Sequence, residues 1–95
     1  MIFAKGIRKS TLYTFTGKDD EQGLVFLVDL EDDAGMTIRA KFFNAAAEKF
    51  YSEMEEGAMF GVGNFTVMDS NHQFDECTSP YELKMEKHSI VHVVE

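Results

Sequence analysis

The chain has 95 residues, 44% of them hydrophobic, which is the size of one small domain with a thin core. No apolar run approaches the roughly 20 residues of a membrane span, so no membrane partner is expected, and the first residues lack the charge order of a signal peptide. The net charge of −8 argues against nucleic acid, whose phosphates repel acidic surfaces, but five of the nine basic residues lie in strand-like stretches and predict a local basic face: Lys5, Arg8, Lys9, Arg39 and Lys41.

Most of the chain predicts β-strands, because β-branched and aromatic residues are frequent and apolar and polar residues alternate. The alternation is clearest in 23–32, where Phe26, Val28 and Leu30 share one face. Strands are predicted in chain order at 2–8, 10–16, 23–32, 37–43, 59–68, 72–78 and 81–95, with hairpin turn residues at 69–71.

A single helix is predicted from Ala45 to about Glu55. Asn44 is a suitable N-cap, the three alanines favour helix, and Gly57 can end it. A series of strands with a single helix is typical of an all-β, five-stranded Greek-key barrel of the OB-fold type, which carries one helix between its third and fourth strands, and residues 1–95 are predicted to be one such domain. An SH3-like barrel is the alternative fold.

Two consecutive phenylalanines close the strand at 37–43. Because strand side chains alternate, Ile38 and Ala40 share a face with Phe42, whereas Arg39 and Lys41 share the other face with Phe43. A surface phenylalanine beside two cations suits single-stranded nucleic acid, since the ring stacks on a base and the cations follow the phosphates. The alternative is that Phe43 packs beneath the following helix.

Other chemistry is not indicated. His88 and His92 are predicted on one face of the last strand, where two ligands could hold a metal, but a third ligand is lacking and a structural role is favoured. The one cysteine excludes an internal disulfide and fits a reducing, intracellular setting. There is no phosphate-binding loop or nucleophile elbow, so no catalytic residue, no metal and no cofactor is expected, and the protein is not expected to be an enzyme.

The segments "LVFLVDLEDDAGMTIRAKFFNAAAEKF", "NHQF" and "YELKM" together resemble a DNA-binding OB domain of the large subunit of replication protein A, in particular the first of its two tandem central domains. The resemblance covers nearly the whole chain. It implies that Phe43 and Phe74 stack on bases of single-stranded DNA, that Arg39 contacts the DNA strand, and that Asn44 and Glu82 occupy further contact positions. From the residues alone, Phe74 could instead be a core residue of its hairpin.

The chain departs from the family pattern at several positions that are usually basic. Met68 stands where the family usually has a lysine, and Tyr13 where it often has an arginine. Lys18 is crowded by acids in the loop that usually carries an arginine. At a neighbouring position, Phe15 replaces a tryptophan. The aromatic platform is retained while phosphate contacts are fewer, so binding is expected to depend only shallowly on salt.

The sequence therefore predicts non-catalytic binding of single-stranded DNA with little sequence preference. The resemblance implies a nuclear protein of DNA replication, repair, recombination or telomere maintenance, acting with further OB domains or subunits of a replication protein A-like complex. The alternative is a protein-interaction OB domain whose acidic loops bind basic partners. The predicted DNA-binding residues are Phe43, Phe74, Arg39, Lys41, Asn44, Glu82, Lys18 and Phe15.

Overall fold

The computed structural model describes residues 1–69 and 77–94, and for Lys18 the backbone only. Within these residues the chain forms eight strands, one α-helix and a 3₁₀ turn at Lys18–Asp20. The elements are β1 (Ile2–Lys9), β2 (Tyr13–Thr16), β3 (Gln22–Glu31), β4 (Thr37–Phe43), α1 (Ala45–Phe50), β5 (Met59–Gly63), β6 (Thr66–Asp69), β7 (Tyr81–Met85) and β8 (Ile90–Val94).

The strands form a single curled sheet. Its hydrogen-bonded order is β6-β7-β4-β3-β1-β5-β8, with β2 added to β3, and β4 and β7 run parallel. β5 and β6 are separated only by Asn64 and Phe65, so one stretch of chain pairs with β1 through its first half and with β7 through its second half. The sheet therefore curls into a barrel of five stretches, and the predicted all-β barrel with one helix is confirmed.

The core follows the predicted alternation. Phe26, Val28 and Leu30 of β3 are buried, and so are Ala40 and Phe42 of β4. The rings of Phe26 and Phe42 stack with their centroids 4.4 Å apart.

The helix is attached to the core through Phe50. Its ring meets that of Phe42 at 5.9 Å, and Ala46 and Ala47 are buried beside it. Phe42 therefore packs beneath the helix, whereas Phe43 contacts Phe15 and is not part of the buried core, which favours the outward prediction for Phe43 over the alternative.

The helix is shorter than predicted and begins differently. It ends at Phe50, because the chain turns there and brings Met54 into the core, with the Glu53 and Met54 amides both donating to the Phe50 carbonyl. Asn44 precedes the helix as predicted, but its side chain does not cap it. Instead Asn44 Oδ1 accepts a hydrogen bond from the Leu24 amide at 3.2 Å, and the Asn44 backbone has a positive φ of 51°.

Several predicted strands differ in extent. The stretch 10–16 contains only β2 because Ser10 bonds to Leu27 partly through its hydroxyl. The stretch 81–95 divides into β7 and β8 at a turn where buried Ser89 accepts from the Glu86 amide and donates to the Asn64 carbonyl at 2.7 Å. The predicted strand 72–78 lies outside the described residues except for Cys77 and Thr78, which are not in a strand.

The turn at 86–89 also separates the two histidines. His88 lies in the turn and His92 in β8, so the prediction that they share a strand face is wrong. In 1–69 and 77–94, no group of three or more His, Cys, Asp or Glu residues could hold a metal ion. No helix in the same residues is long and apolar enough to cross a membrane.

Phe42→Ala should lower the free energy of unfolding by roughly 3–5 kcal/mol, because it opens a cavity beneath the helix and removes the partner of Phe26. Phe3→Ala, which truncates a ring that is 57% exposed, is the matched control and should cost much less. Urea unfolding of both variants measures the difference. Equal losses for the two would contradict the assignment of Phe42 to the centre of the core.

Candidate nucleic-acid interface

The residues that alternate with the core lie on the other side of the sheet, which we call the outer face. Its members on β3, β4 and β7 lie opposite one another in register. Arg39 is paired with Asp29 on one side and Glu82 on the other, Lys41 lies between Leu27 and Lys84, and Phe43 is opposite Val25. The structure thus places the predicted residues Arg39, Lys41 and Phe43 in one row along β4.

An aromatic corner stands at one end of this row. The rings of Phe15 and Phe43 meet edge to face, with centroids 6.1 Å apart and planes at 85°, and both side chains are half-buried. Phe15 lies opposite Gly23 of β3. A Cβ on Gly23 would collide with the Phe15 ring and lie 2.7 Å from Asn44 Oδ1, so the glycine allows the ring to lie across the strand.

A cleft of about 420 Å³ opens beside the corner. Lys84 stands on its wall with Nζ 5.8 Å from the centre of the Phe43 ring. Lys84 is not among the residues predicted from the sequence, although alternation along "YELKM" places it on the same face as Glu82. The lining residues are Phe15, Phe43, Asn44, Ala45, Lys84, Met85, Glu86 and Lys87.

Cations of the outer face form ion pairs with buried carboxylates. Asp29, whose side chain is only 3% exposed, accepts hydrogen bonds from Arg39 Nε at 2.8 Å and Nη2 at 3.2 Å, and from Arg8 Nε at 2.8 Å. Lys41 Nζ lies 3.0 Å from Oε1 of Glu82, which is also buried. The carboxylates hold these cations at fixed positions and reduce the positive charge they present.

The Asp29 carboxyl is buried and bound to two arginines. Burial by itself raises its pKa, but hydrogen bonds from Arg39 and then Arg8 more than offset burial and hold the pKa of Asp29 below its ordinary value. The same contact with Asp29 raises the pKa of Arg8. Asp29 is therefore ionised at neutral pH and joins β1, β3 and β4 by charged hydrogen bonds.

Two predicted residues are not placed. Phe74 lies outside the described residues, and so does the side chain of Lys18. After β6 the described residues resume at Cys77, and the Thr78 amide donates to Thr37 Oγ1 of β4 at 2.8 Å.

The amino-acid sequence is similar to large subunits of replication protein A. It is 37% identical over 70 residues to a 70 kDa DNA-binding subunit of replication protein A from Arabidopsis thaliana, and the match covers 74% of this chain and 12% of the relative. It is 32% identical over 84 residues to the corresponding 70 kDa protein of Danio rerio, where the match covers 88% of this chain and 14% of the relative. The chain thus spans about an eighth of the length of these relatives. No family model matches the chain.

Solved structures agree with the sequence similarity. A chain of a replication protein A heterotrimer bound to single-stranded DNA superposes with a TM-score of 0.88 at 26% identity, over 98% of this chain and 21% of that chain. DNA-binding domain A of the Saccharomyces cerevisiae protein superposes with a TM-score of 0.80 at 28% identity, over 99% of this chain and 81% of that chain. The predicted OB-fold is confirmed by these similarities.

Asp29→Asn should lower the free energy of unfolding at pH 7 by about 1–3 kcal/mol, because it leaves charged donors with a weaker acceptor. A carboxyl whose folded pKa is depressed stabilises the fold above its unfolded pKa of about 3.9, and this stabilisation is lost as pH falls through the folded pKa. The difference between wild type and variant should therefore shrink between pH 5 and pH 2. Urea unfolding across this range measures it, and a difference that does not change with pH would contradict the ion cluster.

Proposed function

The chain belongs to the family of replication protein A large subunits, and from this premise we propose that it binds single-stranded DNA with little sequence preference, as a non-catalytic OB domain. The relatives are named as DNA-binding subunits, and one structural neighbour was solved with single-stranded DNA. The observation that carries the proposal is the aromatic corner of Phe15 and Phe43 at the end of the row of cations on β4.

Stacking supplies the part of the affinity that does not depend on sequence. Every base has a π-face, and stacking on an aromatic side chain contributes about 1–3 kcal/mol per base. The exposed side of Phe43 receives a base in the cleft, while the edge-to-face contact with Phe15 restricts the orientation of the Phe43 ring. Lys84 stands beside the same ring, where its ammonium can reach a phosphate of the stacked nucleotide.

Arg39 and Lys41 on β4, which we call the basic row, lead away from the aromatic corner and can bind the phosphates that follow the stacked nucleotide. Phe43 lies four positions after Arg39, a distance of roughly 13 Å along an extended strand. Lys41 and Arg39 follow the corner on the outer face, each next to a carboxylate. Because those carboxylates offset part of the charge, we expect few counterions to be released and a shallow dependence of affinity on salt.

Four further residues are proposed as contacts from the family resemblance. Asn44 and Glu82 lie next to the corner and the basic row, respectively, where an amide and a carboxylate can accept hydrogen bonds from base edges. Phe74 is proposed as the second stacking ring from its position in the "NHQF" motif. Lys18 is proposed as a phosphate contact from the loop after β2.

The domain is proposed to act as one part of a larger assembly. Residues 1–95 are assigned to one OB domain, and the chain spans only about an eighth of its relatives. Further DNA-binding domains on a linked chain or subunit would raise its effective concentration at the DNA. On the basis of the family we propose a nuclear location and participation in replication, repair, recombination or telomere maintenance.

A second function, binding of basic protein partners, is supported by the net charge of −8 and by the exposed acids of the loop after β2, Asp19, Asp20 and Glu21. It would replace the first if neither the aromatic corner nor the basic row affects DNA binding.

Phe43→Ala should weaken binding of a fluorescein-labelled oligo-dT by roughly fivefold to 150-fold, the loss of about 1–3 kcal/mol of stacking. Fluorescence anisotropy measures the affinity, and a thermal melt checks the fold. Phe3 is an exposed phenylalanine on β1, distant in register from the corner. Phe3→Ala is therefore the control and should bind as wild type does. Equal affinities for all three proteins would reject stacking at this site.

Lys84→Ala should reduce the slope of log affinity against log salt by about 0.7, the value for one phosphate contact on single-stranded nucleic acid. Lys5→Ala removes the same charge from an exposed position on β1, a strand that contributes no residue to the cleft lining, and should leave the slope unchanged. Titrations with oligo-dT at four salt concentrations measure both slopes. If the two variants lose the same amount, Lys84 acts only through the net charge of the domain.

A further inference from the structure

Arg8 extends the outer face beyond the strands that the family resemblance marks. It lies on β1, directly opposite Asp29 of β3, which in turn lies opposite Arg39 of β4. The register of β1 shifts between Gly6 and Arg8, and this bulge turns the Arg8 side chain toward Asp29. Two guanidinium groups from strands on either side thus share a single carboxylate.

We infer that Arg8 is a further nucleic-acid contact, and that Asp29 is the positioning residue that holds Arg8 and Arg39 for the same DNA strand. The inference rests on the proposed function and adds a strand to its binding surface. Neighbouring strands lie about 4.7–4.9 Å apart, so a path from Lys84 on β7 across β4 and β3 to Arg8 on β1 is roughly 14 Å wide. The DNA would then cross the strands as well as follow β4.

Exposure favours Arg8 as a contact. The Arg8 side chain is 46% exposed, against 20% for Arg39 and 3% for Asp29. The trio carries a net charge of +1, since two guanidinium groups surround one ionised carboxylate. A guanidinium held through Nε has lost much of its rotational freedom before a phosphate arrives, and planar guanidinium groups recognise phosphate oxygens with defined geometry.

A purely structural role makes a different prediction. If Arg8 only satisfies Asp29, its removal lowers stability and leaves the DNA affinity of the folded protein unchanged. If Arg8 contacts a phosphate, its removal also flattens the salt dependence. The slope of affinity against salt therefore separates the two roles, because stability does not enter it while the domain stays folded.

The first experiment compares Arg8→Ala with Lys5→Ala, which removes the same charge from the same strand at a position that is in register with Glu31 and Met59 and not with Asp29. With labelled oligo-dT, Arg8→Ala should lose roughly threefold in affinity at about 50 mM salt and about 0.7 in slope, and Arg8→Lys should restore the slope. Melts confirm that each variant is folded at the titration temperature. Equal slopes for Arg8→Ala and Lys5→Ala would overturn the inference.

The second experiment tests the positioning role of Asp29. Asp29→Asn removes a negative charge next to a bound polyanion, so electrostatics alone predicts tighter binding. Positioning predicts weaker binding, with little further loss when Arg8→Ala is added, because the first change already takes away the fixed position of the guanidinium that the second change deletes. Tighter binding by Asp29→Asn, or full additivity of the two changes, would overturn the role of Asp29.

The controls separate this inference from the proposed function. If wild type binds oligo-dT and Phe43→Ala weakens binding while Arg8→Ala matches Lys5→Ala, only the inference fails. If wild type does not bind oligo-dT at low salt, the proposed function fails and the inference fails with it.

Discussion

The organisation of this domain depends on β4, which is hydrogen-bonded to a strand on each side. Antiparallel pairing with β3 and parallel pairing with β7 fix the direction of every side chain from Thr37 to Phe43. A shift of one residue would move the whole apolar set to the outside and the whole charged set to the inside. Phe42 can therefore join the core only if Phe43 faces outward, and the fold and the candidate site follow from the same register.

The outer face carries cations although the protein as a whole is acidic. Asp29 and Glu82 are both buried, and each contacts cations that share the face with Phe43. Removing a buried carboxylate from such a pair leaves charged donors without their acceptor and destabilises the domain, so these pairs belong to the fold as much as to the site. A net charge of −8 consequently says little about this face, where the local balance of cations and carboxylates differs from that of the loops.

Much of the fold was predictable because period-two alternation is a local property. It placed Phe26, Val28 and Leu30 inside, and it separated Phe42 from Phe43 before any contact was known. Local patterns fail where a strand is interrupted by a contact with a distant segment. The last strand divides because the Ser89 hydroxyl reaches the Asn64 carbonyl, 25 residues away, and no periodicity reports that bond.

The sequence by itself determined the fold class, the inward and outward sets of β4 and the choice of Phe43, because each of these depends on neighbours along the chain. Only the tertiary structure decided which residues meet across strands. It brought Phe15 against Phe43, set Lys84 beside the same ring, and joined Arg8 to Arg39 through Asp29. These contacts link segments that are distant along the chain, and their geometry depends on strand order and on the bulge in β1, which are properties of the whole barrel.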